Sequence, residues 1–185
     1  MTFEKVLDDK RLWAVRYEGE ESNCFDSLFS QWYDMNWLKK FFSENLADLS
    51  SFFHITDVYQ AVMETLSEAS RLECLVLDIS PEANLDLLFK HLENSRFSEM
   101  TLGREKATGD GTRRHHSWLR IYAIKIEAGV YLVTGGAIKL TATMAERSHT
   151  MEQLALMERV RNHLIDKGVY DLEGLDDYIN NEQGT

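Results

Sequence analysis

The sequence predicts an α+β fold, in which an antiparallel sheet packs against N-terminal helices and a long C-terminal helix. In the first half of the chain, apolar residues recur at three- and four-residue steps, which is the spacing of amphipathic helices. After about residue 97 the spacing changes to the two-residue alternation of half-buried strands, and it becomes helical again over residues 150–167. Strands that are gathered in one block, instead of alternating with helices, favour α+β over α/β.

Length and composition predict a single domain. The 185 residues are close to the usual size of one domain, and 44% of them are hydrophobic, which is enough to build a core. We expect residues 170–185 to form a short appended helix and a frayed tail. The sequence has no apolar run near the roughly 20 residues that cross a bilayer, and no apolar signal core near its start. We therefore expect a cytoplasmic protein that makes no membrane contact.

The N-terminal half predicts one short strand followed by helices. The candidate elements are a strand at residues 12–17, an aromatic helical region at 25–49 with a break near 34–36, a helix from Thr56, and a short helix at 84–92. Residues 72–79 fit either a continuation of the second helix or a buried strand. We expect the aromatic stripe to be buried core, and a ligand pocket is the alternative.

The second half predicts strands and then the last helix. The candidate elements are a strand at residues 97–106, an exposed loop at 107–116, two antiparallel strands at 119–126 and 129–134, a bulge at Gly135 and Gly136, and a final strand at 137–141. The periodic positions also predict a core. Its members are expected to include Trp32, Phe41, Leu119, Ile121, Leu154 and Val160.

Charge is distributed unevenly along the chain. Residues 104–147 carry eight basic and four acidic side chains, whereas the rest carries 12 basic and 27 acidic ones, and the chain as a whole has a net charge of −11. This asymmetry indicates either a surface that faces a polyanion or an ordinary solvated strand and loop surface. The two cysteines, Cys24 and Cys74, have no Cys or His neighbours at metal-ligand spacing, so we expect reduced structural thiols and neither a metal nor a cofactor.

Two predicted strands of the basic segment resemble the core of the RelE/HigB-type toxins of toxin–antitoxin systems. Residues 119–122 read LRIY, and residues 132–141 read LVTGGAIKLT. In that family an Arg-led strand precedes a strand that ends in a pattern close to Gly-Phe-x-Lys-Lys-Thr, followed by a helix. Gly136, Lys139 and Thr141 match the pattern, while Ala137 and Leu140 replace the aromatic residue and the second lysine. The resemblance covers residues 97–164, and the whole chain also resembles a group of proteins common in gut Bacteroidetes.

The resemblance implies a metal-independent endoribonuclease that cleaves messenger RNA at the ribosome, with a small helix-turn-helix antitoxin as its partner. In such a reaction the 2′-hydroxyl of the RNA attacks the phosphate, and the protein stabilises the added negative charge and assists proton transfer. Arg120 and Lys139 are the candidates for charge stabilisation. Tyr122 shares a strand face with Arg120 and is the candidate for stacking or proton transfer. The alternatives are cations on a solvated strand and a tyrosine packed in the core.

The run Arg113, Arg114, His115 and His116 is the candidate for RNA binding. Adjacent cations in an adaptable loop suit contacts with phosphates. The alternative is a mobile surface loop that has no partner. The two histidines lack further ligands at metal-binding spacing, so we do not expect a metal site there.

Two other function classes compete with the nuclease. The acidic net charge opposes an approach to ribosomal RNA, which favours a non-catalytic protein-interaction or regulatory module on the same fold. The aromatic helix would also suit a protein that binds a small molecule.

Overall fold

The computed structural model describes residues 1–80, 82–92, 102–141 and 148–183. The strands of these residues are β1 (Thr2–Lys5), β2 (Leu12–Arg16), β3 (Phe89–His91), β4 (Gly103–Thr108), β5 (Leu119–Glu127) and β6 (Val130–Ile138). Their helices are α1 (Cys24–Tyr33), α2 (Met35–Glu44), α3 (Leu46–Phe53), α4 (Val58–Val76), α5 (Leu85–Leu88), α6 (Ser148–Asp166) and α7 (Leu172–Tyr178), which a π-helical turn follows (Ile179–Gln183). The predicted α+β class is confirmed.

The described strands form one sheet in the order β1-β2-β6-β5-β4-β3. The predicted antiparallel pairing of β4, β5 and β6 is confirmed, and β1–β2 and β3–β4 are antiparallel as well. The sheet is nevertheless not wholly antiparallel, because β2 runs parallel to β6. This one parallel pair among the described strands joins the N-terminal hairpin to the block of later strands.

Helices cover both faces of the sheet. Along β5, Leu119, Ile121 and Ala123 pack with the helices α1–α5, while Tyr122 and Ile124 point to the opposite face and pack with α6 and α7. This alternation is the two-residue period of a strand. Because both faces are buried, a polar side chain of the central strands has to find its partners inside the protein.

Several boundaries differ from the sequence predictions. Asp34 ends α1 and caps α2, where its carboxylate accepts hydrogen bonds from the backbone of Asn36 and Trp37, so the predicted break is confirmed. Asp57, and not Thr56, caps α4. The ambiguous residues 72–79 continue α4 as far as Val76, and residues 84–92 form the single turn α5 followed by β3. Strand β4 begins at Gly103, and the first part of the strand predicted at 97–106 lies outside the described residues.

The bulge predicted at the glycine pair is present in β6. Tyr122 pairs with Gly135 whereas Ala123 pairs with Val133, which leaves Thr134 as an extra residue in β6. Gly135 has a φ of +151°, and a Cβ on it would overlap the carboxamide of Gln153 in α6. Glycine therefore lets α6 approach the strand closely.

Four of the six predicted core residues are fully buried. They are Trp32, Leu119, Ile121 and Val160. Phe41 and Leu154 are half-buried and pack against the core residues. The cap at Asp34 starts a new helix, so the buried positions of α2 are Leu38 and Phe42, four residues apart, and Phe41 lies beside them.

We expect Phe42→Ala to destabilise the protein far more than Phe41→Ala. Phe42 is fully buried and packs edge-on against Trp118, so its truncation should lower the free energy of unfolding by about 3–5 kcal/mol. Phe41 is half-buried and stacks on Trp37, so the same truncation should cost clearly less. Urea unfolding of the two variants measures the difference. If both variants lost the same free energy of unfolding, Phe42 would not be the more deeply buried residue of α2, as the helix that starts after Asp34 requires.

Candidate functional site

Tyr122 is buried in the centre of the sheet. Its side chain is 0% exposed, and its hydroxyl has no hydrogen-bond partner among the described residues. Burial raises the pKa of Tyr122 to about 12, against the opposing effect of the charge on Arg120. The phenol is therefore protonated at neutral pH and packs against its neighbours.

Arg120 lies two residues before Tyr122 on the same face of β5. It is half-buried, and its Nη1 donates hydrogen bonds to the backbone oxygens of Ser117 (2.8 Å) and Leu119 (2.7 Å). Burial lowers the pKa of Arg120, while Tyr122 and Glu68 act in the opposite direction. Part of the guanidinium thus satisfies the carbonyl groups of its own chain.

Lys139 follows β6 at the same end of the β5–β6 hairpin. Its backbone N–H donates to the oxygen of Trp118 at 2.7 Å, one step beyond the pair of Leu119 with Ile138. Arg120 and Lys139 therefore lie on neighbouring chain segments, as expected. Their convergence in one open basic groove stays a prediction.

A third cation, which sequence reasoning missed, lies near Arg120. Lys106 of β4 pairs in register with Tyr122, and its Nζ donates to the oxygen of Leu92 at 3.1 Å. Burial and the nearby charge on Arg120 lower the pKa of Lys106. Only the register of β4 against β5 brings these two cations together, so spacing along the chain gave no signal of it.

The loop that carries the arginine–histidine run is docked on α4. The Nε2 of His115 lies 2.8 Å from a carboxylate oxygen of Glu64, and its Nδ1 donates to the backbone oxygen of His116 at 2.8 Å. The imidazole also stacks on Trp118 with 4.5 Å between ring centroids, and the ring of Phe53 meets it edge-on. With a side chain only 7% exposed, His115 is a packed anchor of the loop and not a free RNA contact.

The other residues of the run remain on the surface. Arg113, Arg114 and His116 are exposed. Thr112 orders the turn beneath them, because its N–H donates to the oxygen of His115 and its hydroxyl accepts from the N–H groups of Arg114 and His115. The exposed loop that we predicted at residues 107–116 is present in part, because its first two residues end β4 and because Gly111 and His115 are packed inside.

Glu68 is a buried carboxylate beneath this loop. It lies one helical turn after Glu64 on α4, it is 0% exposed, and its Oε1 accepts from the N–H of Gly111 at 3.3 Å. Its Oε2 has no hydrogen-bond partner of good geometry among the described residues. Burial raises the pKa of Glu68, although the Ser117 hydroxyl, the Gly111 N–H and the charges on Arg71 and His115 act against the rise.

A groove with apolar walls lies at the far end of α4, where we had predicted no site. We call it the apolar groove; it holds about 290 Å³ and is lined by Leu75, Asp78, Glu82, Ala83, Asn84, Leu87 and Leu88. Leu75 is 46% exposed and Leu87 is 71% exposed. Residues 72–79 fitted either a continuation of the helix or a buried strand, so the sequence gave no signal that Leu75 faces solvent.

The two cysteines lie in different environments. Cys24 lies at the start of α1, where its thiol donates to the oxygen of Val133 at 3.2 Å. Burial raises the pKa of Cys24 to about 12. Cys74 is exposed on α4, next to Leu75 in the chain. Because the thiolate is the reactive form, we expect reagents to modify Cys74 selectively.

The described residues contain no group of three or more His, Cys, Asp or Glu side chains arranged to hold a metal ion. None of the helices in this part of the chain has the length and apolar character needed to cross a membrane. Comparisons with protein-family models, with curated proteins and with solved structures find no match to this chain.

We expect Glu68→Gln to stabilise the protein increasingly as the pH rises. Since the pKa of Glu68 is higher in the folded protein than its ordinary value of 4.5, its contribution to stability is complete below that value and is lost as the pH rises through the folded-state pKa. Glutamine keeps the acceptor for Gly111 and carries no charge to desolvate. Urea unfolding of both proteins between about pH 4 and 8 measures the difference.

The same change at Glu152, which is exposed on α6, is the matched control and should leave the pH profile unaltered. A constant difference between wild type and Glu68→Gln across this range would show that Glu68 is not the group that titrates.

Proposed function

We infer that this chain is a non-catalytic protein-binding module whose apolar groove takes a basic amphipathic segment of a partner protein. The observation that carries this proposal is the exposure of Leu75 and Leu87 around one concavity. Single exposed leucines are common on protein surfaces, but apolar side chains that line a groove together mark an interaction site.

Charge supports a basic partner. Asp78 and Glu82 line the groove beside the leucines. Hydrogen bonds from the backbone N–H and the hydroxyl of Ser80 hold the pKa of Asp78 below its ordinary value, so this carboxylate stays ionised. Arg11, whose guanidinium lies beside the groove, is bound to Asp9 and to the backbone oxygens of Asp78 and Ala83. With a net charge of −11, the whole chain also favours association with a cationic partner.

The size of the groove favours a helical segment. A volume of about 290 Å³ holds one or two anchoring side chains of an amphipathic helix, while the rest of the helix lies on the surface beside the groove. A small helix-turn-helix antitoxin, the partner that the resemblance to RelE/HigB-type toxins implies, is a DNA-binding protein and would carry such basic helices. The burial of Tyr122 and the engagement of Arg120 by its own backbone also favour a binding role over catalysis.

A synthetic helical peptide tests this proposal. The peptide carries leucines at positions i, i+4 and i+7 and lysines on the opposite face, and a peptide of scrambled order is its control. A fluorophore on Cys74, beside the groove, reports binding. We expect the amphipathic peptide to bind and the scrambled peptide not to bind. The binding should weaken as the salt concentration rises, because part of the attraction is electrostatic. Leu87→Asn and Glu82→Lys should each lower the affinity for the amphipathic peptide at least tenfold.

Leu46→Asn is the matched control, because Leu46 is 37% exposed at the start of α3 and does not line the groove. Equal binding of the amphipathic and scrambled peptides, or wild-type affinity of Leu87→Asn, would contradict the proposal. Sedimentation equilibrium of the chain alone provides a further test. If the wild type is a dimer and Leu87→Asn is a monomer, a second copy of the chain occupies the groove.

The endoribonuclease remains a second candidate, favoured by the proximity of Lys106 and Arg120 and by the exposure of Arg113 and Arg114. Under this hypothesis RNA binding weakens steeply with salt, since phosphate contacts release counterions, and Lys139→Ala reduces it for every RNA sequence. Induced expression should arrest growth and cleave messenger RNA, and Arg120→Ala/Lys139→Ala should do neither.

Arg113→Ala/Arg114→Ala should reduce RNA binding and leave the stability of the fold unchanged, because both side chains are exposed. This variant therefore distinguishes a loss of RNA binding from a loss of stability. A wild-type protein that neither arrests growth nor binds RNA or ribosomes at low salt would exclude the nuclease. That result leaves the binding of the helical peptide untouched.

A further inference from the structure

The loop of residues 109–117, which we call the lid, covers the carboxylate of Glu68. The Oε1 atom of Glu68 accepts a hydrogen bond from the N–H of Gly111 at 3.3 Å, and a Cβ on Gly109 would overlap the same oxygen. Because Gly109 has no side chain, the backbone of the lid lies directly on the carboxylate. Beneath the lid, Glu68 has no exposed surface.

The lid is held on α4 mainly by polar contacts. At its start, the Nη2 of Arg71 donates to the oxygen of Gly111 at 3.3 Å. Near its end, His115 contacts Glu64 and stacks on Trp118. The lid reads GDGTRRHHS and so has no aliphatic side chain that could anchor it in the core. Segments that bury little apolar surface open at a lower free energy than the whole domain, so the lid can open while the core stays folded.

The charged groups that face Glu68 do not compensate for its burial. Arg71 of α4, His115 of the lid and Arg120 of β5 favour the ionised carboxylate. Asp110, the acid of the lid itself, is exposed. Burial outweighs the three cations and raises the pKa of Glu68, whose Oε2 has no hydrogen-bond partner among the described residues. Ionised Glu68 is therefore unfavourable under a closed lid, and contact with water would relieve it.

We propose that the lid is a pH-sensitive switch, which opens when Glu68 releases its proton to water and closes when the proton is bound. Opening carries Arg113 and Arg114 away from α4 and removes His115 from the ring of Trp118. The pH thus controls how the two exposed arginines are presented. The switch is separate from the apolar groove and does not depend on the function proposed for it.

The switch has a definite direction. With the lid open, the carboxyl of Glu68 is hydrated and has its ordinary pKa of 4.5, and with the lid closed its pKa is higher. Closure is therefore most favourable below the ordinary value and weakens as the pH rises through the closed-state pKa. Between the two values, each pH unit favours opening by about tenfold, because opening releases one proton.

Hydrogen exchange of the 15N-labelled full chain between about pH 4 and 8 tests the proposal. The amides of Gly111 and Thr112 report the lid, since they donate to Glu68 and to the oxygen of His115. Rates are corrected for the intrinsic pH dependence of exchange. We expect the protection of both amides to fall at least tenfold as the pH rises, while the amide of Leu72, which is buried on α4, stays protected.

Three variants complete the test. Glu68→Gln keeps the acceptor for Gly111 and cannot ionise, so the protection of its lid should not change with pH. Glu152→Gln makes the same change at an exposed position of α6, and it should behave as the wild type. In Gly109→Ala the new Cβ would overlap the Oε1 of Glu68, so the lid should be open at every pH.

Four results would overturn the proposal. The first two are constant protection of the lid amides in the wild type and an equal pH-dependent loss of protection in Glu68→Gln. The third is a parallel loss at Leu72, which would show that Glu68 ionises through unfolding of the domain and not through opening of the lid. The fourth is a fully protected lid in folded Gly109→Ala.

Discussion

The parallel pairing of β2 with β6 is the constraint on which the rest of the architecture depends. It joins an N-terminal hairpin to strands that lie more than 100 residues later, so the long segment between them has to cross one face of the sheet. Helices α1–α5 occupy that crossover, and α6 covers the opposite face. The same pairing ends at Val133, and the separation of the two strands beyond it opens a crevice beside Gly135.

A sheet covered on both faces places demands on every polar side chain within it. On the face of α1–α5, Asp86 accepts hydrogen bonds from Tyr131 and Lys125, and His91 contacts the buried Glu105 at 2.9 Å. On the other face, Arg120 uses carbonyl oxygens of its own chain. Such pairing meets the cost of burial, because charges in a protein interior need partners. Some basic side chains of residues 104–147, such as Arg120 and Lys125, therefore bind groups of the protein itself, and only the others are available at the surface.

The sequence predicted the elements that depend on the local spacing of apolar residues. It did not predict the burial of side chains whose contacts lie far away in the chain. Two-residue alternation located β5 and β6, and the glycine pair located the bulge. Phe41 was expected to be as deeply buried as Trp32, because one aromatic stripe was followed through Asp34, whose cap restarts the helical phase and places Phe42 at the buried position. His115 was assigned to an exposed run. Its imidazole contacts Glu64, which lies 51 residues earlier, and nothing near His115 in the sequence indicates this contact. The exposure of Leu75 likewise depends on which neighbours cover the end of α4.

Helix α4 connects the two surfaces of greatest functional interest. Its middle turns hold the loop of Arg113 and Arg114 through Glu64 and Glu68, and its last turn carries Leu75 of the apolar groove. At 1.5 Å per residue, Glu64 and Leu75 are about 16 Å apart along the helix, which is the length of about eleven residues of a bound helix. A partner segment that starts in the groove and follows α4 therefore reaches the basic loop. Because the loop is anchored by the packing of His115 and not by its arginines, such a partner would meet exposed cations on an ordered surface, where acidic side chains at its far end would be complementary.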